Sequence, residues 1–346
     1  MKEIILTIDY ELFLGEKTGT VKKCMIEPTA KLISFLKKNN SKMTVFWDIL
    51  HYYLLLQYEK NFPELKDDRL LIEKQILDLA KSGHDIQLHL HPHWLDAQYE
   101  NGRWIFQYDR FRLNKLTNED KKDDINTIIG CISISKNLME NLIRSVNPDY
   151  KITAFRAGGY LIEPFNEISD SLIANGIKID SSICSGLYNK NGIYSYDFRY
   201  YPLNQKYNFV TTPKIMVDQG NFIEIPITTI KLSLFRNIYY KFLRKIKYTS
   251  LENERKGLGV GYIHNNKQKT KIKRRFSILF VPQRGQFTTD SNFREKFNYM
   301  YKKAPEYSTM IIHPKLLNYH TLRILDDYLS TKKFISFQLR TLPIKK

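Results

Sequence analysis

The chain has 346 residues, of which 42% are hydrophobic, and its 54 Lys or Arg against 36 Asp or Glu give a formal net charge of +18. This composition allows a large core, and no window approaches the roughly 20 apolar residues of a membrane span. Cys24, Cys131 and Cys184 form no C-x-x-C pair, which argues against a disulfide framework and favours reduced thiols. The N-terminus lacks the pattern of a cleaved signal peptide, so a cytoplasmic protein is expected.

The hydrophobic pattern predicts strands that alternate with helices along the whole chain. Strands are predicted at 3–8, 43–47, 85–89, 152–156, 177–180, 222–227 and 309–313. Helices are predicted at 26–38, 70–81 and 120–145, the first two on apolar residues at helical spacing. Such alternation favours parallel strands joined by right-handed crossovers. We therefore expect an α/β fold with a single domain over residues 1–346.

A histidine cluster stands at the end of the third predicted strand, in GHDIQLHLHPHW (83–94). His89 and His93 are four residues apart, and a turn at Pro92 would let both imidazoles converge on one divalent metal ion. His91 would point the opposite way if the strand geometry persisted, so it is left out of the predicted ligand set. Alternating histidines can also be ordinary polar residues of a strand.

Two carboxylates follow the first predicted strand. The run EIILTI (3–8) ends at Asp9-Tyr10-Glu11, and strand side chains alternate, so Asp9 and Glu11 can point to the same side. A pair of carboxylates there can complete a metal site. The alternative is a strand that ends in solvent with two loop carboxylates.

Seven segments in chain order together resemble the motifs of one known family. They are LTIDYE (6–11), MTVFWD (43–48), GHDIQLHLHPH (83–93), FRAGGY (155–160), IDSS (179–182), FIEIPIT (222–228) and MIIHP (310–314). The chain resembles the polysaccharide deacetylases, carbohydrate esterase family four, as a divergent member. The resemblance spans about nine-tenths of the chain, and it implies a distorted seven-stranded (β/α) barrel with its chemistry at the C-terminal ends of the strands.

The chain departs from the family pattern at two places. The adjacent Asp-Asp of the family is Asp9-Tyr10 here, and Glu11 can replace the missing metal carboxylate. The Arg-Pro-Pro-Tyr turn is Arg156-Ala157-Gly158-Gly159-Tyr160, which shifts the aromatic residue by one position.

The resemblance implies the reaction and most of the residue roles. The reaction is metal-dependent hydrolysis of an N-acetyl amide, with zinc as the expected ion and Glu11, His89 and His93 as its ligands. Asp9 would be the general base, with Arg156 orienting it or holding its charge, and His313 would protonate the leaving nitrogen. The opposite assignment, with Asp9 as the ligand and Glu11 as the base, stays open.

Four further residues complete the predicted site. Gly158, Gly159 and Tyr160 can place a backbone N–H where the oxyanion develops. Asp180 either supports Arg156 or only caps a turn.

A basic segment at 231–276 carries 14 Lys or Arg and two acidic residues. Its first part, Leu232 to Tyr248, has five apolar residues at helical spacing, and a basic amphipathic helix is typical of membrane-surface binding. One interpretation is that residues 232–275 contact an anionic membrane surface, which would place the protein at the inner face of the membrane. The alternative is an outer barrel helix with its apolar side inward, followed by a solvated loop. No recognition motif for nucleic acid accompanies the basic residues.

The sequence thus predicts a hydrolase that removes an N-acetyl group from a sugar. Without export, its substrate would be a nucleotide-linked or lipid-linked precursor of a surface polysaccharide, met in the cytoplasm or at the inner face of the membrane. Two alternatives remain: an inactive barrel that serves as a membrane-associated assembly partner, and a hydrolase of a non-sugar amide or imide.

Overall fold

A computed structural model of the chain describes residues 1–190, 192–248, 258–261, 283–290 and 292–339. Within them, strands lie at Lys2–Tyr10 (β1), Thr44–Asp48 (β2), Asp85–Leu90 (β3), Gln98–Glu100 (β4), Arg103–Ile105 (β5), Ala154–Ala157 (β6), Ile179–Asp180 (β7), Tyr188–Asn189 (β8), Tyr196–Asp197 (β9), Tyr207–Phe209 (β10), Phe222–Glu224 (β11), Thr229–Leu232 (β12), Gln283–Gln286 (β13), Tyr307–Ile312 (β14) and Phe334–Phe337 (β15). The α-helices of the same residues are Glu27–Lys38 (α1), Ile49–Tyr58 (α2), Glu64–Lys81 (α3), Ile128–Arg144 (α4), Ser169–Ala174 (α5), Leu234–Lys247 (α6), Arg294–Lys303 (α7) and Tyr319–Ser330 (α8).

The main sheet has the order β10-β11-β7-β6-β3-β2-β1-β14, and β15 pairs with the first half of β1. The seven strands from β11 to β14 are parallel, and each corresponds to one of the seven predicted strands. The predicted α/β class is confirmed.

The sheet curls, and its two ends are joined through loop backbone rather than through strand pairing. Beyond β11, the N–H of Thr228 donates to the carbonyl of Thr309 in β14 at 3.0 Å. The N–H of Ile311 donates to the carbonyl of Phe287 at 3.1 Å. The predicted distorted seven-stranded barrel is therefore present as a curled half-barrel. The assignment of residues 1–346 to a single domain stays a prediction.

Helix ends follow local capping. In α1, Pro28 lies in the first turn, and Leu32 and Leu36 face the core. Helix α4 begins later than predicted because Thr127 caps it, its hydroxyl accepting from the N–H of Gly130 at 3.0 Å. Helix α2 was not predicted.

His84 is a buried structural histidine between α3 and β3. The N–H of Met43 donates to its Nδ1 at 3.2 Å, and burial lowers the pKa of His84 to about 4. The unfolded chain takes up this proton near pH 6.5, whereas the folded chain does so only near pH 4. As the pH falls from about 6.5 to about 4, the unfolded chain therefore binds a proton that the folded chain does not, and the free energy of unfolding decreases.

We expect His84→Asn, which keeps an acceptor for Met43, to reduce the loss of stability below pH 6.5. A pKa difference of this size corresponds to at most about 3 kcal/mol. The measurement is the urea midpoint of both proteins from pH 7 to pH 4. An identical pH dependence in the two proteins would contradict the assignment.

Candidate metal centre and active site

A cavity of about 180 Å³ opens at the C-terminal ends of the parallel strands. The residues that line it are Asp9, Glu11, Leu14, His89, His91, Gly159, Tyr160, Tyr194, Gly261, His313 and Lys315. Most of the predicted site residues thus meet at the edge of the sheet where α/β barrels carry their chemistry.

Glu11, His89 and His91 form a buried group that can hold a metal ion. Oε2 of Glu11 lies 2.7 Å from Nε2 of His91 and 3.4 Å from Nε2 of His89, and the two Nε2 atoms are 3.1 Å apart. Two imidazoles and one carboxylate are a ligand set that zinc accepts, with a coordination position left open for water. The donor set therefore fits the predicted metal site.

The structure replaces His93 by His91 in the predicted ligand set. Strand β3 ends at Leu90, and a 3-10 helix begins at Pro92. The alternation of side chains ends with the strand, so His91 turns toward the same point as His89. The prediction that His91 points away was wrong because it extended strand geometry one residue too far.

His93 lies in the 3-10 helix, among aromatic side chains. Its ring stacks on Phe111 with 4.6 Å between ring centroids and contacts Phe106 at 5.1 Å. Burial, together with the nearby His91, lowers the pKa of His93 well below its ordinary value. His93 therefore packs as a neutral ring and does not reach the ligand group.

Two backbone features position the imidazoles. Nδ1 of His89 lies 2.8 Å from the carbonyl oxygen of Arg156, to which it donates, and this leaves the lone pair of Nε2 for a metal. A Cβ at Gly158 would lie 2.5 Å from Nδ1 of His91, so only glycine allows this approach. Burial alone would lower the pKa of His89, but Asp9 and Glu11 raise it to about 9. A metal ion at Nε2 would therefore displace a proton.

Lys315 supports Glu11 and was not found from the sequence. Its Nζ donates to Oε1 of Glu11 and to the carbonyl of Leu12, both at 2.7 Å. Burial alone would raise the pKa of Glu11, but Lys315 and His91 hold it well below its usual range. One oxygen of Glu11 is thus occupied by Lys315, while the other faces the histidines.

Asp9 lies beside this group and is paired with Arg156. Its Oδ1 accepts from Nη1 of Arg156 at 2.5 Å, and its Oδ2 is 4.0 Å from Nε2 of His89. Burial alone would raise the pKa of Asp9, but the Arg156 guanidinium outweighs it with help from nearby histidines, so the pKa is lowered. Asp9 is therefore ionised, with Oδ2 directed toward the histidines of the cavity.

Arg156 is fully buried and fixed on several sides. Its Nε donates to the carbonyl of Ser181 at 2.8 Å, and Nη2 donates to the Ser181 hydroxyl at 3.0 Å. Nη1 also contacts the Thr7 hydroxyl at 3.1 Å, and the guanidinium lies 4.0 Å from the ring centre of Phe46. A side chain held this firmly can orient Asp9.

Asp180 contacts a turn and not the guanidinium. Its Oδ1 accepts from the Ser182 hydroxyl at 2.6 Å, and that hydroxyl accepts from the N–H of Ala157 at 2.8 Å. Of the two predicted roles, the geometry favours the local one, since the direct support of Arg156 comes from Ser181 and Thr7.

His313 faces Asp9 across the cavity and is held by Asp290. Nδ1 of His313 lies 2.6 Å from Oδ2 of Asp290, and Nε2 lies 3.6 Å from Oδ2 of Asp9. Burial alone would lower the pKa of His313, but Asp290 raises it above its ordinary value. An imidazole whose protonated form is stabilised in this way, with Nε2 toward Asp9 in the cavity, is suited to proton donation. Asp290 was not found from the sequence.

The turn at Gly158 lines the opposite side of the cavity. Gly159 and Tyr160 have φ values of 60° and 66°, and glycine adopts this left-handed region without strain. Burial raises the pKa of Tyr160 well above its ordinary value, so the phenol stays neutral. Placement of an oxyanion against Gly158, Gly159 and Tyr160 stays a prediction.

Solved structures similar to this chain include a polysaccharide deacetylase, Bc1974, from Bacillus cereus, at 11% identity over 99% of this chain and 95% of that chain, with a TM-score of 0.36. The catalytic domain of a peptidoglycan N-acetylglucosamine deacetylase from Eubacterium rectale matches at 11% identity over 99% and 90%, with a TM-score of 0.32. A 4-alpha-glucanotransferase from Thermococcus litoralis matches at 12% identity over 98% and 39%, with a TM-score of 0.45. No family model and no curated protein matches the sequence.

Proposed function

We propose that this protein is a metal-dependent amide hydrolase that removes an acetyl group from an N-acetylated sugar. The observation that carries the proposal is one buried cavity with three distinct groups at its wall. They are the metal-ligand group of Glu11, His89 and His91, the Asp9 carboxylate and the His313 imidazole.

The residues divide the chemistry of amide hydrolysis between them. A divalent ion held by Glu11, His89 and His91, with zinc expected, would lower the pKa of a water molecule and polarise the acetyl carbonyl. Oδ2 of Asp9 accepts the proton that this water loses on attack. Arg156 keeps Asp9 ionised and oriented until that proton arrives.

Collapse of the tetrahedral intermediate requires a proton on the departing nitrogen. His313 donates it from Nε2, and Asp290 stabilises the imidazolium before transfer. Backbone N–H groups of the turn at Gly158, Gly159 and Tyr160 would stabilise the developing oxyanion. This chain thus supplies the acceptor of the proton from water, Asp9, and the donor of the proton to the departing nitrogen, His313.

The cavity also restricts how the substrate binds. At about 180 Å³ it is smaller than the roughly 300–1,000 Å³ pockets that enclose drug-sized ligands. It can therefore enclose the acetyl group and part of one sugar, while the remainder of a nucleotide-linked or lipid-linked precursor lies outside.

The test is acetate release by the purified protein loaded with zinc, measured on nucleotide-linked, lipid-linked and free N-acetyl sugars. We expect acetate from at least one of them and at least roughly 100-fold less from His313→Gln, because the proton donor is lost. Release of product only from a non-sugar amide or imide would show that the substrate is not an N-acetylated sugar. No product from any substrate, with the metal bound, would favour an inactive assembly partner.

A further inference from the structure

Helix α6 presents its apolar side chains to solvent. Five of them are exposed, by fractions from 48% to 83%: Phe235, Ile238, Tyr239, Phe242 and Ile246. At 100° per residue they lie within an arc of roughly 100° on one face of the helix. An outer barrel helix would turn such a face inward, so the structure contradicts that alternative for α6.

The opposite face of α6 fixes this orientation. Tyr240 is buried against Phe293, with 5.6 Å between ring centroids. Arg236 lies over the ring of Tyr299 at 4.1 Å, and Nζ of Lys247 contacts Glu295 at 2.9 Å. These contacts hold the helix with its apolar face outward.

The exposed apolar face is bordered by positive charge. Lys241 and Lys245 are exposed and lie along one side of it on the helical projection. The segment 231–276, which contains α6, has a net charge of +12 in sequence. An apolar strip beside lysines is the pattern with which helices lie in the headgroup region of anionic membranes.

We propose that the exposed face of α6 docks on an anionic phospholipid surface. A second copy of this chain would bring the same positive charges against each other, which disfavours self-association through this face. A nucleic acid would satisfy the lysines but would leave five apolar side chains without a partner. Among the described helices, none is long and apolar enough to cross a bilayer.

The docking face is connected to the candidate site. Phe293, against which Tyr240 packs, lies three residues after Asp290, the partner of His313. Docking through α6 would therefore bring the enzyme and a lipid-linked substrate to the same surface. If the function proposed above is correct, a lipid-linked sugar is favoured over a soluble nucleotide sugar.

The test is sedimentation of the full-length protein with vesicles of equal parts phosphatidylcholine and phosphatidylglycerol, against vesicles of phosphatidylcholine alone. We expect binding to the acidic vesicles only, decreasing as salt rises, because charges at a membrane surface are screened over about 10 Å at 0.1 M salt. Phe235→Ser with Phe242→Ser should lower the bound fraction. Lys241→Glu with Lys245→Glu should lower the affinity by roughly tenfold or more.

The matched control is Lys66→Glu with Lys81→Glu on α3, which changes the net charge equally at two exposed positions. It should bind almost as the parent does. The proposal would be overturned if the α6 variants bound as well as the parent, or if the parent did not bind acidic vesicles at low salt. It would also be overturned if the α6 variants abolished a dimer or an RNA complex of the parent. Zinc content of the same variants should be unchanged, so loss of docking is distinguishable from failure of the proposed catalytic function.

Discussion

His91→Ala is expected to release the bound metal, whereas His93→Phe is expected to retain it. Nε2 of His91 lies 2.7 Å from the carboxylate of Glu11, while His93 packs among aromatic rings. Loss of a ligand should weaken metal binding by more than the roughly 10–100-fold that loss of a supporting hydrogen bond costs. The measurement is zinc content after dialysis, with affinities from competition with a chelator.

Phenylalanine is the matched replacement at position 93 because it keeps a ring against Phe111. His89→Ala serves as the positive control and should also lose the metal. If His93→Phe lost zinc while His91→Ala kept it, the ligand set of the structure would be incorrect. The pair predicted from the sequence, His89 and His93, would then be the ligands.

Asp9→Asn should retain the metal and lose activity, whereas Glu11→Gln should lose the metal. Asp9 is bound to Arg156 and lies outside the group of three ligands, so its replacement removes a base and leaves the ligands intact. Removal of a general base costs about 10²–10⁴-fold in rate. Zinc content and acetate release are measured on the same preparations.

Both replacements are isosteric, so the two variants act as controls for each other. The thermal midpoint of Asp9→Asn should fall, because Arg156 then loses its ionised partner in a buried position. If Asp9→Asn lost zinc and Glu11→Gln retained it, Asp9 would be the metal ligand and Glu11 the base.

The strands were predictable because the parallel sheet of this fold is made of short apolar runs. Helix α2 was missed because its sequence ILHYYLLLQY is apolar on nearly all sides, and most of its residues are buried. A helix that is buried all round carries no amphipathic period. Whether such a segment forms a helix or a strand therefore depends on tertiary neighbours that the sequence does not show.

The site was predictable to the extent that its residues end strands. Asp9, His89, Arg156 and His313 follow or end predicted strands, and the structure brings them together. His91 was missed because the residue at which β3 ends decides which way its side chain points.

The supporting residues could not be found by the same reasoning. Ser181 reaches Arg156 through its carbonyl, Asp290 lies in a loop, and Lys315 contacts a residue 304 positions away in the chain. Their roles follow from tertiary proximity: Ser181 lies in the IDSS segment (179–182), but nothing in that segment marks it as a partner of Arg156.

Strand β1 has a consequence for the order in which the candidate cavity forms during folding. On one side it pairs with β2, which is near in sequence, and on the other with β14 at Tyr307–Ile312 and β15 at Phe334–Phe337. Pairings as distant in sequence as those with β14 and β15 form late and slowly. His313 and Lys315 follow β14, so they join Asp9 and Glu11 only after this pairing, and the cavity is completed late in folding.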